Sequence, residues 1–479
     1  MRILMLGWEF PPFIAGGLGV ACFGLTKSLD KLGHQVVFVL PKPVDRALSS
    51  HVKLLSPAAI PARAAESGFE GLVDDAGRPL FGFQHVQFRG VPASFSSPYP
   101  TFDPAKFVAL TGRSPTGFAD IAGSSGAQPE SPLHAPLHAA LQAGAEAPPS
   151  SGTPRGFVGS GGGAGFGYGS DLFGDAERYA RLVVALTRAE DMDVIHAHDW
   201  LTYPAGIALA AVTGKPLFVH VHSTEFDRAG AGVNEHVFNI EKAGMQAATR
   251  VLAVSQMTKS ICVRRYGISP DRVDVVYNGV ERESSQPAPG AHVERDDRIV
   301  LFLGRITMQK GPEYFIAAAK RVLEKVQNVK FVVAGSGDMA LRMIELAAGM
   351  GIGHKVFFTG FLRGADVEKV FRLADCYVMP SVSEPFGIAA LEAISHDVPV
   401  ILSKTSGASE VLSHVLKVDF WDTDEMANKI IAVLTHPSLT KTLREHGAME
   451  LHRLTWDEAA RRCVESYKSG IAAAVPRPK

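Results

Sequence analysis

Cysteine is scarce in this chain: four residues in 479, at positions 22, 262, 376 and 463, with no C-x-x-C pair among them. That excludes a disulfide frame and a thiolate zinc site, and reads as buried thiols of a reducing compartment. Neither sign of charge is in excess, with 48 Lys and Arg against 49 Asp and Glu. No long-range field therefore recruits nucleic acid or an anionic membrane, and any bound phosphate must be held by a few local cations and backbone N–H groups. No apolar run approaches a membrane span. Ile3-Leu4-Met5-Leu6 is too short for a secretory leader and runs straight into Gly7-Trp8-Glu9, so a cytoplasmic protein is expected. G-x-G-x-x-G is missing, which disfavours a dinucleotide cofactor.

What is present is alternation. Short Val/Ile/Leu-rich runs (Ile3–Leu6, Val36–Leu40, Val194–Ala197, Leu217–His220, Val251–Val254, Val273–Tyr277) are separated by helical patterns such as Gly19–Leu32, Ala176–Ala189 and Glu235–Ala247. A polar stretch, Glu281–Arg298, suits an interdomain linker. The alternation then restarts with Ile299–Leu303, Val329–Ala334, Val356–Thr359, Cys376–Met379 and Val398–Leu402. Apolar strands separated by amphipathic helices mean parallel sheets covered on both faces, so the fold class is α/β with two doubly wound, Rossmann-like domains. The expected divisions are 1–280, 295–454 and a last helix over 455–475 that crosses back to the first domain.

Residues 90–170 resist this pattern. Gly156–Ser170 holds eight glycines in fifteen residues, the composition of a surface insertion. The aromatics Phe95, Tyr99, Phe102, Phe107 and Phe118 leave open a loop that orders over the cleft.

The strongest chemical signal is Ser383-Glu384-Pro385-Phe386-Gly387-Ile388-Ala389-Ala390-Leu391-Glu392, which follows an apolar strand and opens a helix. It belongs at the carboxyl edge of the second sheet, where open α/β folds bind ligands. The N–H groups of Phe386, Gly387 and Ile388 are first-turn donors for sugar or phosphate oxygens. Glu384 in the loop and Glu392 two turns into the helix can meet a hexose and a ribose from the same side. The bland alternative is an acid favoured by the helix dipole plus a surface Glu.

Leu303-Gly304-Arg305-Ile306-Thr307-Met308-Gln309-Lys310-Gly311 follows the first strand of the second series. Arg305 and Lys310 fixed by such a turn would stabilise a departing diphosphate without reorganising; otherwise they are two solvated cations. Gly16-Gly17-Leu18-Gly19 opens the first helix, either as a close backbone approach to a phosphate or sugar or as a plain tight turn. Two strands end in His196-Ala197-His198-Asp199-Trp200 and His220-Val221-His222-Ser223-Thr224-Glu225. Metal binding, structural hydrogen bonding and sugar contact all remain open for these histidines, with His222 preferred for sugar contact because it lies furthest past its strand. Asp191-Met192-Asp193 matches a D-x-D metal motif but precedes its strand, so it reads as a solvated loop and no metal ligands are assigned.

In this order the motifs resemble the GT-B glycosyltransferases, specifically the retaining family 4 and family 5 enzymes that include glycogen and starch synthases. The resemblance rests on Gly16-Gly17-Leu18, Asp193 to Trp200, Asn278-Gly279-Val280, Gly304-Arg305 with Lys310, and Glu384 to Glu392. It implies two domains facing across a cleft, with the first on the acceptor side near Asp199. Arg305 and Lys310 would hold the donor diphosphate, Glu384 the donor sugar and Glu392 the ribose. His222 would meet the sugar beside the bond that breaks, and Gly17 would approach the donor from the first domain. It also implies retention by front-face attack with the leaving phosphate as base, and no cofactor or metal beyond the substrate ADP-glucose or UDP-glucose. Bacterial glycogen synthases carry Lys two positions before the paired glycines, where this chain has Ile14, which weakens ADP-glucose as donor. Extension of an α-glucan at its non-reducing end is the first reading. Sucrose-phosphate-type or mannosyl transfer is the second, and a sugar-nucleotide epimerase or a non-catalytic glucan-binding protein are the rival classes.

Overall fold

The computed structural model describes residues 1–10, 16–41, 86–90, 172–281 and 297–474. The glycine-rich segment 91–170, its five aromatics, Ile14 and linker positions 282–296 lie outside the described residues.

Two parallel sheets organise the chain. The first contains β1 (Arg2–Leu6), β2 (Gln35–Leu40), β3 (Val86–Gly90), β4 (Val194–His198), β5 (Leu217–Val221), β6 (Arg250–Ala253) and β7 (Val273–Val275), in the order β3-β2-β1-β4-β5-β6-β7. The second contains β8 (Arg298–Leu303), β9 (Val329–Ala334), β10 (Val356–Gly360), β11 (Cys376–Met379), β12 (Val400–Ser403) and β13 (Leu416–Val418), in the order β10-β9-β8-β11-β12-β13. Both orders reverse direction beside the first strand, at β1/β4 and at β8/β11, which opens a crevice at the carboxyl edge there.

The all-apolar strands are explained by burial on both faces. In β1, Leu4 and Leu6 enter one core while Ile3 and Met5 enter the core on the opposite face. In β8, Ile299 and Leu301 enter one core and Val300 and Phe302 the other. Two strands escape the sequence pattern. β3 carries Arg89, and β13 is three residues long with Lys417 in its middle, so neither makes an apolar run. The second helical pattern also begins earlier than expected, at Leu172.

The last helix, Trp456–Ala474, packs on the first sheet's helix Gly17–Lys31. Gly24 permits this: a Cβ there would sit 2.3 Å from the Trp456 ring. Ser28 Oγ donates to Asp457 at 2.8 Å and Lys31 pairs with the same carboxylate. The chain thus passes between the halves at two adjacent places, where Val280 N donates to Leu454 O at 3.0 Å. No helix among the described residues is long and apolar enough to cross a membrane. All four cysteines are buried and free.

Candidate active site

Beyond β8 the backbone turns at Gly304, whose carbonyl approaches Gly335 so closely that a Cβ on Gly335 would fall 1.8 Å from it. The turn continues into Thr307 and a short 3-10 segment, Met308–Lys310. Gln309 joins this loop to the one after β11: its carbonyl accepts Val382 N at 2.9 Å, and its side chain accepts from Arg305 at 3.1 Å. Lys310 Nζ forms an ion pair with Glu384, whose carboxylate also accepts Ser381 Oγ at 3.2 Å. Arg305, Lys310 and Glu384 are therefore brought into one cluster from two loops at the switch point.

The following helix is Ile388–Ser395, capped by Gly387 at φ 106, a left-handed value that glycine tolerates. Phe386 stands outside the helix with its ring in the core. Only its backbone can face a ligand, and the helix's orphan first-turn N–H groups begin at Gly387 and Ile388. Glu392 is pushed up to about 7 by burial. Tyr377, whose hydroxyl donates to Leu303 O at 3.2 Å, is raised by its own burial and by the Glu384 and Glu392 charges, which places both carboxylates around one ring.

Across the cleft, Gly16 is extended (φ −170) and caps the helix Gly17–Lys31 without a side-chain bond. A Cβ on Gly16 or Gly17 would meet nothing within 4 Å. Neither glycine stands at a left-handed φ, and no described residue packs against the position of its Cβ.

His196, His198 and His220 are buried, whereas His222, the histidine preferred for sugar contact, is half-buried. Period-2 alternation on two neighbouring strands puts all four rings on one sheet face, in two hydrogen-bonded layers. His196 Nε2 lies 3.2 Å from His220 Nδ1, and His198 Nδ1 lies 2.9 Å from His222 Nε2. The layers stack with ring centroids 4.3 Å apart for His196/His198 and for His220/His222. Nitrogens of His196, His198 and His220 approach within 4.8 Å of one another. Yet their planes are only 20–26° apart, so their in-plane lone pairs do not converge on one ion. Burial pushes His222 down to about 3. The other three are held well below the ordinary histidine range, first by burial and then by mutual repulsion. All four rings are neutral near pH 7, and Nε2 of His198 and of His220, both shielded from solvent, has no hydrogen-bond partner among the described residues.

Asp199, at φ 57, directs its carboxylate to the β5 loop, accepting His222 N at 2.7 Å and Ser223 N at 3.4 Å. Burial raises it to about 7 against the pull of Arg228. Arg228 is ion-paired to Glu225 and Glu241 and donates to Ser223 O at 3.2 Å, so the His222 loop is held from both sides. Asp191 and Asp193 lie at the opposite edge: Asp191 pairs with Arg2, and Asp193 accepts Arg2 N at 2.8 Å.

The two halves also touch. Ser383 Oγ donates to Asp227 at 2.6 Å, and Glu410 accepts the N–H groups of Gln256 and Met257 at 2.8 and 2.7 Å, at the start of the helix Gln256–Tyr266. Glu410, Asp227 and the paired histidine layers were not singled out from sequence. The repeated H-x-H on two successive strands was the available signal for the layers.

Three family models match consecutive parts of the chain: the starch synthase catalytic domain over 2–110, glycosyltransferase family 4 over 149–284, and glycosyl transferases group 1 over 288–449. An uncharacterized glycosyltransferase of Methanocaldococcus jannaschii is 33% identical over 294 residues, covering 58% of this chain and 75% of that protein. The chain belongs to the GT-B glycosyltransferases of the family 4 and family 5 type. This glycosyltransferase is also 29% identical over 317 residues to the α-maltose-1-phosphate synthase of Mycolicibacterium smegmatis, covering 59% of this chain and 80% of that one. It is 28% identical over 314 residues to a D-inositol 3-phosphate glycosyltransferase of Catenulispora acidiphila, covering 60% and 75%. Among solved structures, sucrose-phosphate synthase from Thermosynechococcus elongatus superposes with a TM-score of 0.67 at 20% identity, over 99% of this chain and 100% of that one. Anabaena HepE in complex with UDP-glucose superposes at 0.62 with 15% identity, over 98% and 100%. These likenesses carry the two-domain fold of the glycosyltransferase.

Proposed function

We propose that this glycosyltransferase moves glucose from UDP-glucose or ADP-glucose to a carbohydrate acceptor with retention of anomeric configuration and without a metal ion. The observation that carries the reading is the cluster of Arg305, Lys310 and Glu384 at the β8/β11 switch point, beside Glu392. The two cations supply the positive charge that a leaving diphosphate gathers, already oriented by Gln309 and Glu384. Glu384 then serves the donor sugar, Glu392 the ribose, and the backbone at Phe386, Gly387 and Ile388 the oxygens between them. From the first half, Gly16 and Gly17 leave room for the donor. His222, half-buried just past the end of its strand, meets the transferred sugar, and buried His198 steadies its ring through the 2.9 Å contact between His198 Nδ1 and His222 Nε2. Asp199 serves the acceptor side by fixing that loop.

An α-glucan end is the first acceptor, on the resemblance to glycogen and starch synthases. A sugar or cyclitol phosphate is the second, favoured by the relatives described as synthesising α-maltose-1-phosphate or glycosylating D-inositol 3-phosphate. A domain division at 1–280, 295–454 and 455–475 places the donor site in the second half and the acceptor side in the first. The test is nucleoside diphosphate release from each donor with and without each acceptor. Release that requires an acceptor is the expected result. Interconversion of the donor alone would make the protein an epimerase, and binding with neither outcome would make it a non-catalytic binder.

A further inference from the structure

A single carboxylate joins the two halves at the cleft. Asp227 lies in the five-residue helix Glu225–Ala229 and is 2% exposed. Its Oδ2 accepts Thr224 N at 2.8 Å and Thr224 Oγ1 at 2.7 Å, closing a capping box at the end of the segment His222-Ser223-Thr224. That segment is also held within its own half, by Asp199 at His222 N and Ser223 N and by Arg228 at Ser223 O. The capping box uses one oxygen of Asp227. The second is buried with it and needs a donor, and the other half of the molecule supplies one: Ser383 Oγ donates to Oδ1 at 2.6 Å. Ser383 immediately precedes Glu384, and its other neighbour, Val382, is tied through Gln309 O to the loop that carries Lys310. The far end of the same helix meets that loop as well, since a Cβ on Gly230 would lie 3.8 Å from Met308 Cε. The short helix therefore lies across both donor-side loops.

We propose that Asp227 is a positioning residue for the transfer reaction: through Ser383 it sets the register between the His222 segment of the first half and Glu384 of the second. The proposal rests on the reading of the cleft as the transfer site, in which His222 and Glu384 meet one hexose from different halves. Groups on separate bodies must be brought together closely, because a displacement of about 1 Å can cost about 10²-fold in rate. The Asp199 and Arg228 bonds shape one loop and the Gln309 bond the other, each within its own half, so they leave that register open. Glu410 holds the halves together elsewhere, at Gln256 and Met257, so losing the Ser383 bond loosens the register without parting them.

Ser383→Ala removes the bridging bond and leaves the Thr224–Asp227 capping box intact, so amide hydrogen exchange on the full chain separates the two roles of Asp227. A peptide covering 222–230, in the half opposite the substitution, should exchange about threefold faster or more. In the same variant kcat should fall about tenfold, the rate cost of one hydrogen bond, while KM for the donor and the affinity for UDP or ADP change by less than about twofold. Added to Asp227→Ala, the Ser383 change should cost no further rate, because the partners are then already separated. Unchanged exchange over 222–230 in a folded Ser383→Ala protein overturns the bridge. Faster exchange with kcat intact overturns its part in the reaction, and so does a full tenfold loss in both backgrounds. Failure of the cleft reading itself shows separately, as parental turnover in Lys310→Ala.

Discussion

Lys310 and Glu384 are ion-paired across the two loops of the switch point, with side chains 19% and 10% exposed. The pair neutralises a cation that a diphosphate would otherwise meet bare, and it holds a carboxylate that a sugar hydroxyl would otherwise have to find. On the proposed reading an arriving donor would exchange partners, its phosphates taking Lys310 and releasing Glu384 to the hexose. Glu384→Gln should therefore bind UDP or ADP as tightly as the unmodified enzyme, or a few-fold more tightly, while turnover falls by about 10²-fold. Calorimetry with the nucleoside diphosphate, set beside steady-state kinetics, checks both halves. Weakened nucleotide binding in this variant would mean that Glu384 organises the phosphate site and does not compete for it.

Glu392 gives a stability prediction whose sign is fixed. Burial lifts its pKa to about 7, above the ordinary carboxylate value of about 4.3. Between those values the native state holds the proton and the unfolded chain does not, so stability falls as pH rises from about 4 to about 7. Glu392→Gln should flatten that decline and leave the variant about 1–3 kcal/mol more stable than the parent at pH 8, with no gain at pH 4. Asp199, also raised to about 7, should retain a slope of the same sign in the variant. Urea melts across this range measure the difference, and parallel profiles would place the Glu392 carboxyl in water.

Asp199 adopts a left-handed φ of 57 while accepting two loop N–H groups. Asn tolerates that backbone and keeps an accepting oxygen, whereas Ala does neither. Asp199→Asn should hold within about 1 kcal/mol of the parent, and Asp199→Ala should lose about 2–3 kcal/mol. Turnover should follow the same order as His222 loses its anchor. Equal melting temperatures for the two variants would contradict this account of the loop.

Activity should survive chelation. On the proposed reading Arg305 and Lys310 would supply the charge that a cation gives in metal-dependent transfer. The only candidate metal cluster among the described residues has ring planes that do not converge, and Asp191 and Asp193 are engaged by Arg2. Turnover in excess EDTA should match the untreated enzyme. Abolition with rescue by manganese would require a cation site in the reaction.

The motifs could be read from sequence because the strands beside them are buried on both faces and announce themselves as apolar runs. Gly304 to Lys310 follows β8 directly, and Ser383 to Glu392 follows β11 within a few residues. A ligand-bearing loop can be placed at a sheet edge once its strand is found. β13 was missed because Lys417 interrupts three residues that belong to an edge. The histidine layers were half legible: H-x-H on a strand puts both rings on one face, but not which face, nor that Tyr467 from the last helix would cover it. The Arg228 pairing with Glu225 and Glu241 was invisible for the same reason, since nothing local in the sequence announces a buried ion network built from two separate helices.

Turnover of Lys310→Ala tests the central claim most directly, because every role assigned to the cleft depends on a donor diphosphate held at that residue. Removing one preorganised donor to a developing charge costs about 2–4 kcal/mol in the barrier. With UDP-glucose or ADP-glucose and the best acceptor, kcat should fall by about 10²–10³-fold. The melting temperature should fall as well, because Glu384 is left largely buried without its cation, so turnover is compared at a temperature where circular dichroism shows the variant folded. A folded Lys310→Ala enzyme with parental turnover would contradict the account.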